Sequence, residues 1–239
     1  MELLAREQIE LLSFDIFDTL ITRPVKNPTD IFLLMADNSP FVPKDFPRCR
    51  VEAEHRARRI APGGECNINE IYRALSEMEG YTPALCRTLC AMEKETELRL
   101  CEPRREGTDL LNAVHDEGLR VLLISDMYLS RQRISRMLCK CGVKNFSELY
   151  ISNEVRKNKA SGDLFRYVRQ KEELPFSSML HVGDNPVSDV IVPRNIGMHA
   201  LYLPMQEGAE LPEQRGFVNR LLPLGSRRRN AVSRLIHRT

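Results

Sequence analysis

The sequence contains no apolar run approaching the roughly 20 residues that cross a bilayer. Met1–Leu12 carries acidic residues and lacks a signal-peptide pattern, so no transmembrane segment and a cytoplasmic location are expected. Neither sign of charge dominates: 35 Lys and Arg against 33 Asp and Glu leave a formal +2, too little to demand a nucleic-acid partner. A disulfide framework is also missing. The seven cysteines, an odd number, are scattered at Cys49, Cys66, Cys86, Cys90, Cys101, Cys139 and Cys141. Cys86 and Cys90 would share a helix face, but no CxxC pair or nearby histidine completes a zinc set, and reduced, mostly buried thiols are expected. No internal repeat or low-complexity segment occurs. What is present is ordinary globular composition, 42% hydrophobic and 28% charged, enough for one sizeable core and a smaller appendage.

Four apolar stretches read as buried parallel strands: Leu11–Phe17, Arg120–Ser125, Leu149–Ser152 and Met179–Val182, with Met198–Leu203 as a fifth. Helical patterns separate them. Thr108–Asp116 stops at Gly118, Ser130 stands where it can cap a helix running to Gly142, Gly162–Lys171 forms another, and a short helix follows Asp189. This alternation predicts an α/β fold, a doubly wound, Rossmann-like parallel sheet with its site at the carboxyl ends of the strands.

Between the first and second strands the pattern is helical throughout. Asn27-Pro28 opens a helix through Met35, Asp45–Ile60 is amphipathic, Asn67 with Glu70 forms a capping box, and Thr82-Pro83 starts a long helix ending near Pro103. The expected organisation is a core of residues 1–23 and 104–210, an inserted all-helical cap at 24–103, and a basic tail at 211–239. Arg227, Arg228, Arg229, Arg234 and Arg238 in that tail suit a short basic helix, solvated or leaning on an acidic surface.

Four strand ends carry polar chemistry. The first strand opens into Asp15, and a carboxylate there can attack a phosphorus centre if a cation offsets the repulsion between two anions. The second leads to Ser125-Asp126, where a hydroxyl can bind a phosphoryl oxygen. After the third comes Lys159, preferred over Lys157 because it directly precedes a helix entry; its ammonium can neutralise both the nucleophile and the transferring group. The fourth leads into Gly183-Asp184-Asn185-Pro186-Val187-Ser188-Asp189, two carboxylates on a loop that suits a hard cation. Magnesium needs few protein ligands, so Asp15, Asp184 and the Phe17 carbonyl would suffice, with Asp189 acting through water. Each feature alone has a plain alternative, a loop-capping serine, a solvated lysine or an Asp-rich turn. Their order along successive strands argues against coincidence.

Together these residues resemble the haloacid dehalogenase superfamily, and the helical insert sits where that superfamily places its first type of cap. More narrowly, Phe-Asp-Ile-Phe-Asp-Thr-Leu, Ile-Ser-Asp-Met-Tyr-Leu, Lys-Ala-Ser-Gly-Asp-Leu-Phe and His-Val-Gly-Asp-Asn-Pro-Val-Ser-Asp-Val look like a bacterial subfamily. Its members are often encoded with, or fused to, surface-polysaccharide and glycosyltransferase enzymes. The resemblance implies a Mg2+-dependent, phosphatase-like hydrolase acting through an aspartyl-phosphate, with a sugar phosphate or glycan intermediate as substrate and a glycosyltransferase as associate. By this likeness Asp15 is the nucleophile, Ser125, Asp126 and Lys159 serve the phosphoryl group, Asp184 and Asp189 serve the metal, and Asn185 is auxiliary.

One position departs from the family. Its phosphatases carry a second aspartate two residues after the nucleophile, and here that residue is Phe17. Losing such an acid costs on the order of 10²–10⁴ in rate for a poor leaving group. Asp18 could substitute only if the loop turns sharply, since strand alternation aims it elsewhere; otherwise its side chain fixes the loop backbone. Dehalogenases of the superfamily also have an aromatic residue there and release a halide without a proton. They work without metal, however, whereas the carboxylates retained here would repel one another without a cation, so phosphoryl transfer ranks first. A further alternative is a weakened domain that binds a phosphorylated ligand or docks a glycosyltransferase. Arg48, Arg50, His55, Arg56, Arg58 and Arg59 could meet an anionic substrate or simply form a solvated helix face.

Overall fold

The computed structural model describes residues 8–204; the expectations for residues 1–7 and for the basic tail lie outside them. Its strands in chain order are β1 (Leu11–Phe14), β2 (Ile21–Thr22), β3 (Glu102–Pro103), β4 (Arg120–Ser125), β5 (Glu148–Ile151), β6 (Met179–Gly183) and β7 (His199–Tyr202). Five of them form a parallel sheet in the order β5-β4-β1-β6-β7. Leu11 of β1 lies opposite Arg120 on one side and Met179 on the other. All four β1 residues are buried, as expected for a strand covered by helices on both faces. The chain steps outward from β1 to β4 and β5, then returns to place β6 on the opposite flank. That reversal opens a crevice at the carboxyl ends of β1 and β6.

Period-two alternation divides the core between the sheet's faces. Leu11, Leu122 and Ile124 pack with Leu164, Phe165 and Val168 on one face. Leu12, Phe14, Val121 and Leu123 pack on the other with Leu111, Val114, Ile134 and Met137, in a cluster continuous with Ile31, Phe46, Ile71 and Leu89 of the helical insert. The insert therefore shares the core of the sheet it covers.

The insert contains helices Asp30–Asn38, Phe46–Ile60, Ile68–Ser76 and Pro83–Leu100. Its capping box is present: the Asn67 side chain accepts from the amides of Asn69 (3.0 Å) and Glu70 (3.1 Å), while Glu70 accepts from the Asn67 amide at 2.8 Å. Thr82 caps the last helix by accepting from the Leu85 amide at 3.2 Å. The insert is entered and left through the antiparallel pair β2–β3, with Ile21 opposite Pro103.

Several boundaries differ from those read in the sequence. Strand β1 stops at Phe14 rather than Phe17, because the following residues close a tight turn. The long helix stops at Leu100, not near Pro103, because Glu102–Pro103 pairs with a strand far away in sequence. The first insert helix runs from Asp30 to Asn38, and the helix expected from Thr108 begins at Arg105. Ser152 begins a short helix instead of ending β5. Ser130 stands at the N-cap of Arg131–Lys140 but makes no capping hydrogen bond. Asp189 lies inside a π-helical turn, Pro186–Ile191, that precedes the short helix Val192–Asn195. No described helix is long and apolar enough to cross a membrane.

Candidate active site

Asp15 follows β1 directly, and its amide donates to the Val182 carbonyl at 2.8 Å, which extends the ladder to β6 by one residue. The chain then closes on itself. The Leu20 and Ile21 amides donate to the Ile16 carbonyl (2.8 and 3.0 Å), and the Asp18 amide donates to the Ile21 carbonyl at 2.7 Å. Asp18 takes a left-handed conformation, φ 60°, which aspartate tolerates better than most residues. Its carboxylate faces the Thr22 hydroxyl (3.5 Å) and Arg23 (3.9 Å). The turn is held from outside: Arg104 donates to the Asp18 carbonyl and to those of Leu203 (3.1 Å) and Pro204 (2.6 Å). Helix Arg105–Asp116 packs flush against it, since a Cβ on Gly107 would lie 1.9 Å from the Thr19 carbonyl oxygen.

Lys159 reaches Asp15 from the loop after β5. Its Nζ lies 2.5 Å from Asp15 Oδ1 and 2.7 Å from Asp189 Oδ1, and the residue is 3% exposed. Both Asp126 carboxylate oxygens accept from the Lys159 amide at 3.0 Å, so Asp126 anchors the lysine loop. Lys157 is exposed. Ser125 ends β4, buried, and no residue among those described hydrogen-bonds its hydroxyl.

The loop after β6 supplies the remaining carboxylates. Asp184 accepts from the Thr19 hydroxyl at 3.2 Å. Asp189 folds back over Gly183, where a Cβ would lie 2.4 Å from the Asp189 carboxyl group; only glycine fits. Asn185 shapes the turn by accepting from the amides of Val187 (3.0 Å) and Ser188 (3.1 Å), and its own amide donates to Asp189 Oδ2 at 3.0 Å. His181, fully buried, spans from Ser13 Oγ (2.8 Å from Nδ1) to Asp189 Oδ1 (3.3 Å from Nε2).

Burial pushes the Asp15 carboxyl up to about 8 against the pull of Lys159, with Asp189 and Asp184 adding to the rise. Burial and the neighbouring Asp189 and Asp18 raise Asp184 to about 6. Burial works in the same direction on Asp189, but Lys159 and His181 outweigh it and hold that carboxyl well below its ordinary range. Burial opposes the charge of Lys159, yet Asp15, Asp189 and Asp126 keep its ammonium above the usual value. His181 is lowered by burial, which favours the neutral ring.

Carboxylate oxygens of Asp15, Asp184 and Asp189 all lie within 4.8 Å of one another. Three carboxylates face a single ammonium, and the donors are hard oxygens, the set that suits magnesium. The hydrogen bonds of the turn use the Ile16 carbonyl and the Asp18 amide, leaving the Phe17 carbonyl outside the ring.

The sequence assigned no role to other residues of the site. Thr19 and His181 act from inside the core. Arg23, 8% exposed, stacks its guanidinium on the Phe17 ring at 4.8 Å and pairs with Glu97 at 3.2 Å. Conversely, four of the five arginines considered for an anionic substrate are otherwise engaged. Arg50 is fully buried against Glu93, and Arg48, Arg56 and Arg58 pair with Glu52 or Glu54 one turn away, while His55 and Arg59 are exposed.

A doubly wound sheet with an aspartate at its switch point, a buried lysine and an acidic loop after the next strand defines a class of hydrolase. The chain belongs to the haloacid dehalogenase-like hydrolase family, whose model matches residues 49–203. That stretch includes Ser125, Lys159, Asp184 and Asp189 and begins after Asp15. Among solved structures, the 2-haloacid dehalogenase of Pseudomonas syringae pv. Tomato DC3000 is 18% identical with a TM-score of 0.59, covering 90% of this chain and 100% of that one. An L-2-haloacid dehalogenase from Xanthobacter autotrophicus, with chloropropionic acid covalently bound, is 13% identical with a TM-score of 0.57, covering 90% and 85%. A HAD family enzyme from Bacteroides thetaiotaomicron, in complex with magnesium and inorganic phosphate, is 15% identical with a TM-score of 0.56, covering 86% and 98%. At these identities the likeness establishes the fold alone. No curated protein sequence matches the chain.

Proposed function

We propose that this chain is a magnesium-dependent hydrolase that transfers a phosphoryl group to Asp15 and then to water. The observation that carries this reading is the contact of Lys159 with buried Asp15 and Asp189, beside half-buried Asp184, at the switch point of the sheet. Lys159 engages Oδ1 of Asp15, which leaves Oδ2 to attack phosphorus. The bond to the leaving oxygen breaks, an acyl-phosphate forms, and water then attacks phosphorus and restores the carboxylate. Ser125 donates its hydroxyl to a phosphoryl oxygen. Asp126 fixes Lys159 through the backbone and does not touch substrate. Magnesium, held by Asp15, Asp184 and the Phe17 carbonyl, would neutralise charge on the phosphoryl group. Asp189 holds the ammonium of Lys159, with His181 and Ser13 behind it.

The position of Phe17 supplies no proton, and Asp18 is turned toward Thr22 and Arg23. Activated esters are therefore the best substrates. Carbon–halogen hydrolysis ranks below phosphoryl transfer, because three carboxylates around one ammonium repel without a second cation. A second reading, a domain that binds a phosphorylated ligand or docks a glycosyltransferase without turnover, rests on Phe17.

The test is phosphate release from sugar phosphates and an activated aryl phosphate, with and without Mg2+, beside an Asp15→Asn control. Magnesium-dependent release that disappears in the control supports the hydrolase. No release from any ester by folded, metal-loaded protein favours the binding domain.

A further inference from the structure

A cavity of about 740 Å³ on the helical insert shares no lining residue with the Asp15 site. Helices Ile68–Ser76 and Pro83–Leu100 wall it, and Arg133 reaches in from the core helix Arg131–Lys140. Its charged lining is Arg73, Arg87, Lys94 and Arg133 against Glu95, a surplus of positive charge.

The neighbouring helix treats its cations differently. Arg48, Arg56 and Arg58 each meet a glutamate one turn away, the ordinary pattern of a solvated helix face. Among the described residues, Arg73, Arg87 and Lys94 form no ion pair. Arg133, its side chain 19% exposed, has Glu95 as its ion-pair partner at 3.8 Å, and Nη1 makes no hydrogen bond. Four cations therefore share one carboxylate in the lining, a surplus that an anion would meet. Beside the cations lie Pro83, Cys86 and Ala91, an apolar strip.

We infer that this cavity binds an organic phosphate of up to nucleotide size, with its phosphoryl groups on Arg87, Lys94 and Arg133 and its apolar part against Pro83 and Ala91. The volume falls in the range of small-ligand sites, and the planar fork of arginine matches phosphate oxygens in pairs. Because Arg133 belongs to a core helix and the other cations to the insert, the ligand ties one to the other.

Calorimetric titration of the full chain with ADP, in EDTA so that no metal occupies the Asp15 site, tests the inference. One ADP per chain is expected, with adenosine failing to bind. Arg87→Gln, at an exposed position that folding tolerates, and Arg133→Gln should each weaken binding by roughly tenfold or more, the worth of a charged hydrogen bond. Ser125→Ala should leave the affinity unchanged. Absence of saturable binding at millimolar ADP overturns the inference. So does full affinity in Arg87→Gln, or loss of binding in Ser125→Ala, which would put the nucleotide at the Asp15 site.

Discussion

Arg50 and Lys159 are both buried cations surrounded by carboxylates, and their neighbourhoods are balanced in opposite ways. Arg50 donates twice to Glu93 at 2.8 Å and once to Glu54 at 3.0 Å, while the Tyr72 hydroxyl donates to Glu93 at 2.6 Å. The rings of Phe32 and Tyr128 stack on its guanidinium at 4.7 and 4.8 Å. The protein alone satisfies that charge. The cluster joins helix Phe46–Ile60 to helix Pro83–Leu100 and to the loop after β4. Lys159 meets two carboxylates of a cluster of three with one ammonium, and the excess negative charge is what a divalent cation would satisfy. Burial and ion pairing are common to both clusters, so neither identifies a site. Charge left over after pairing does.

Four measurements would break or sharpen this contrast. Arg50→Ala leaves Glu93 buried without its partner and should cost roughly 3–5 kcal/mol of stability in urea unfolding, the usual loss for half of a buried pair. A loss under 1 kcal/mol would mean the cluster is not structural. Lys159→Met should reduce magnesium-dependent phosphate release by roughly 10²–10³-fold, as removal of a preorganised charge does. Near-normal turnover in that variant would remove Lys159 from the mechanism. Gly183→Ala forces the Asp189 carboxyl aside and should weaken magnesium binding by about 10–100-fold, measured by titration calorimetry. Unchanged affinity would show that Asp189 does not support the metal site.

The smallest effect is in pH. The ordinary carboxyl value is 3.8, and in the metal-free fold Asp15 is pushed up to about 8 and Asp184 to about 6. Folded protein then binds more protons than unfolded chain between pH 4 and 8, so the contribution of these groups to stability falls as pH rises through that window. Asp189 is shifted the other way, and its loss of stability lies below pH 4. Magnesium competes with the protons on Asp15 and Asp184. The rise in Tm on adding Mg2+ should therefore grow from pH 5 to pH 8, and a rise independent of pH would count against metal binding by these two carboxylates.

Asp15, Ser125 and the Asp184–Asp189 loop, which the structure brings to one edge of the sheet, were legible because each stands where an apolar, strand-like run ends, and a polar group at such a point requires a reason to be there; Lys159 was legible from its place before a helix entry. The capping box at Asn67 and Glu70 was legible because both partners lie within one helical turn. Arg23 with Glu97, Ser13 with His181, and Arg50 with Glu93 were not, since their separations of 74, 168 and 43 positions leave no local pattern. Arg50 reads as one of several charges on an amphipathic helix, and nothing near it in sequence announces that Glu93 will bury it. The strand β3 escaped for the same reason: Glu102–Pro103 is too short to show a period and exists only by pairing with β2.

By itself the sequence determined the order of the five strands of the main sheet and of the helices between them, the chemistry presented at the strand ends, and the helical nature of the insert, because hydrophobic periodicity and capping act over a few residues. Tertiary structure alone decided which strands became neighbours of β1, that Asp18 turns away from Asp15, and that Lys159 faces two carboxylates at once. Those outcomes depend on packing and charge between segments far apart in the chain, where no local rule applies.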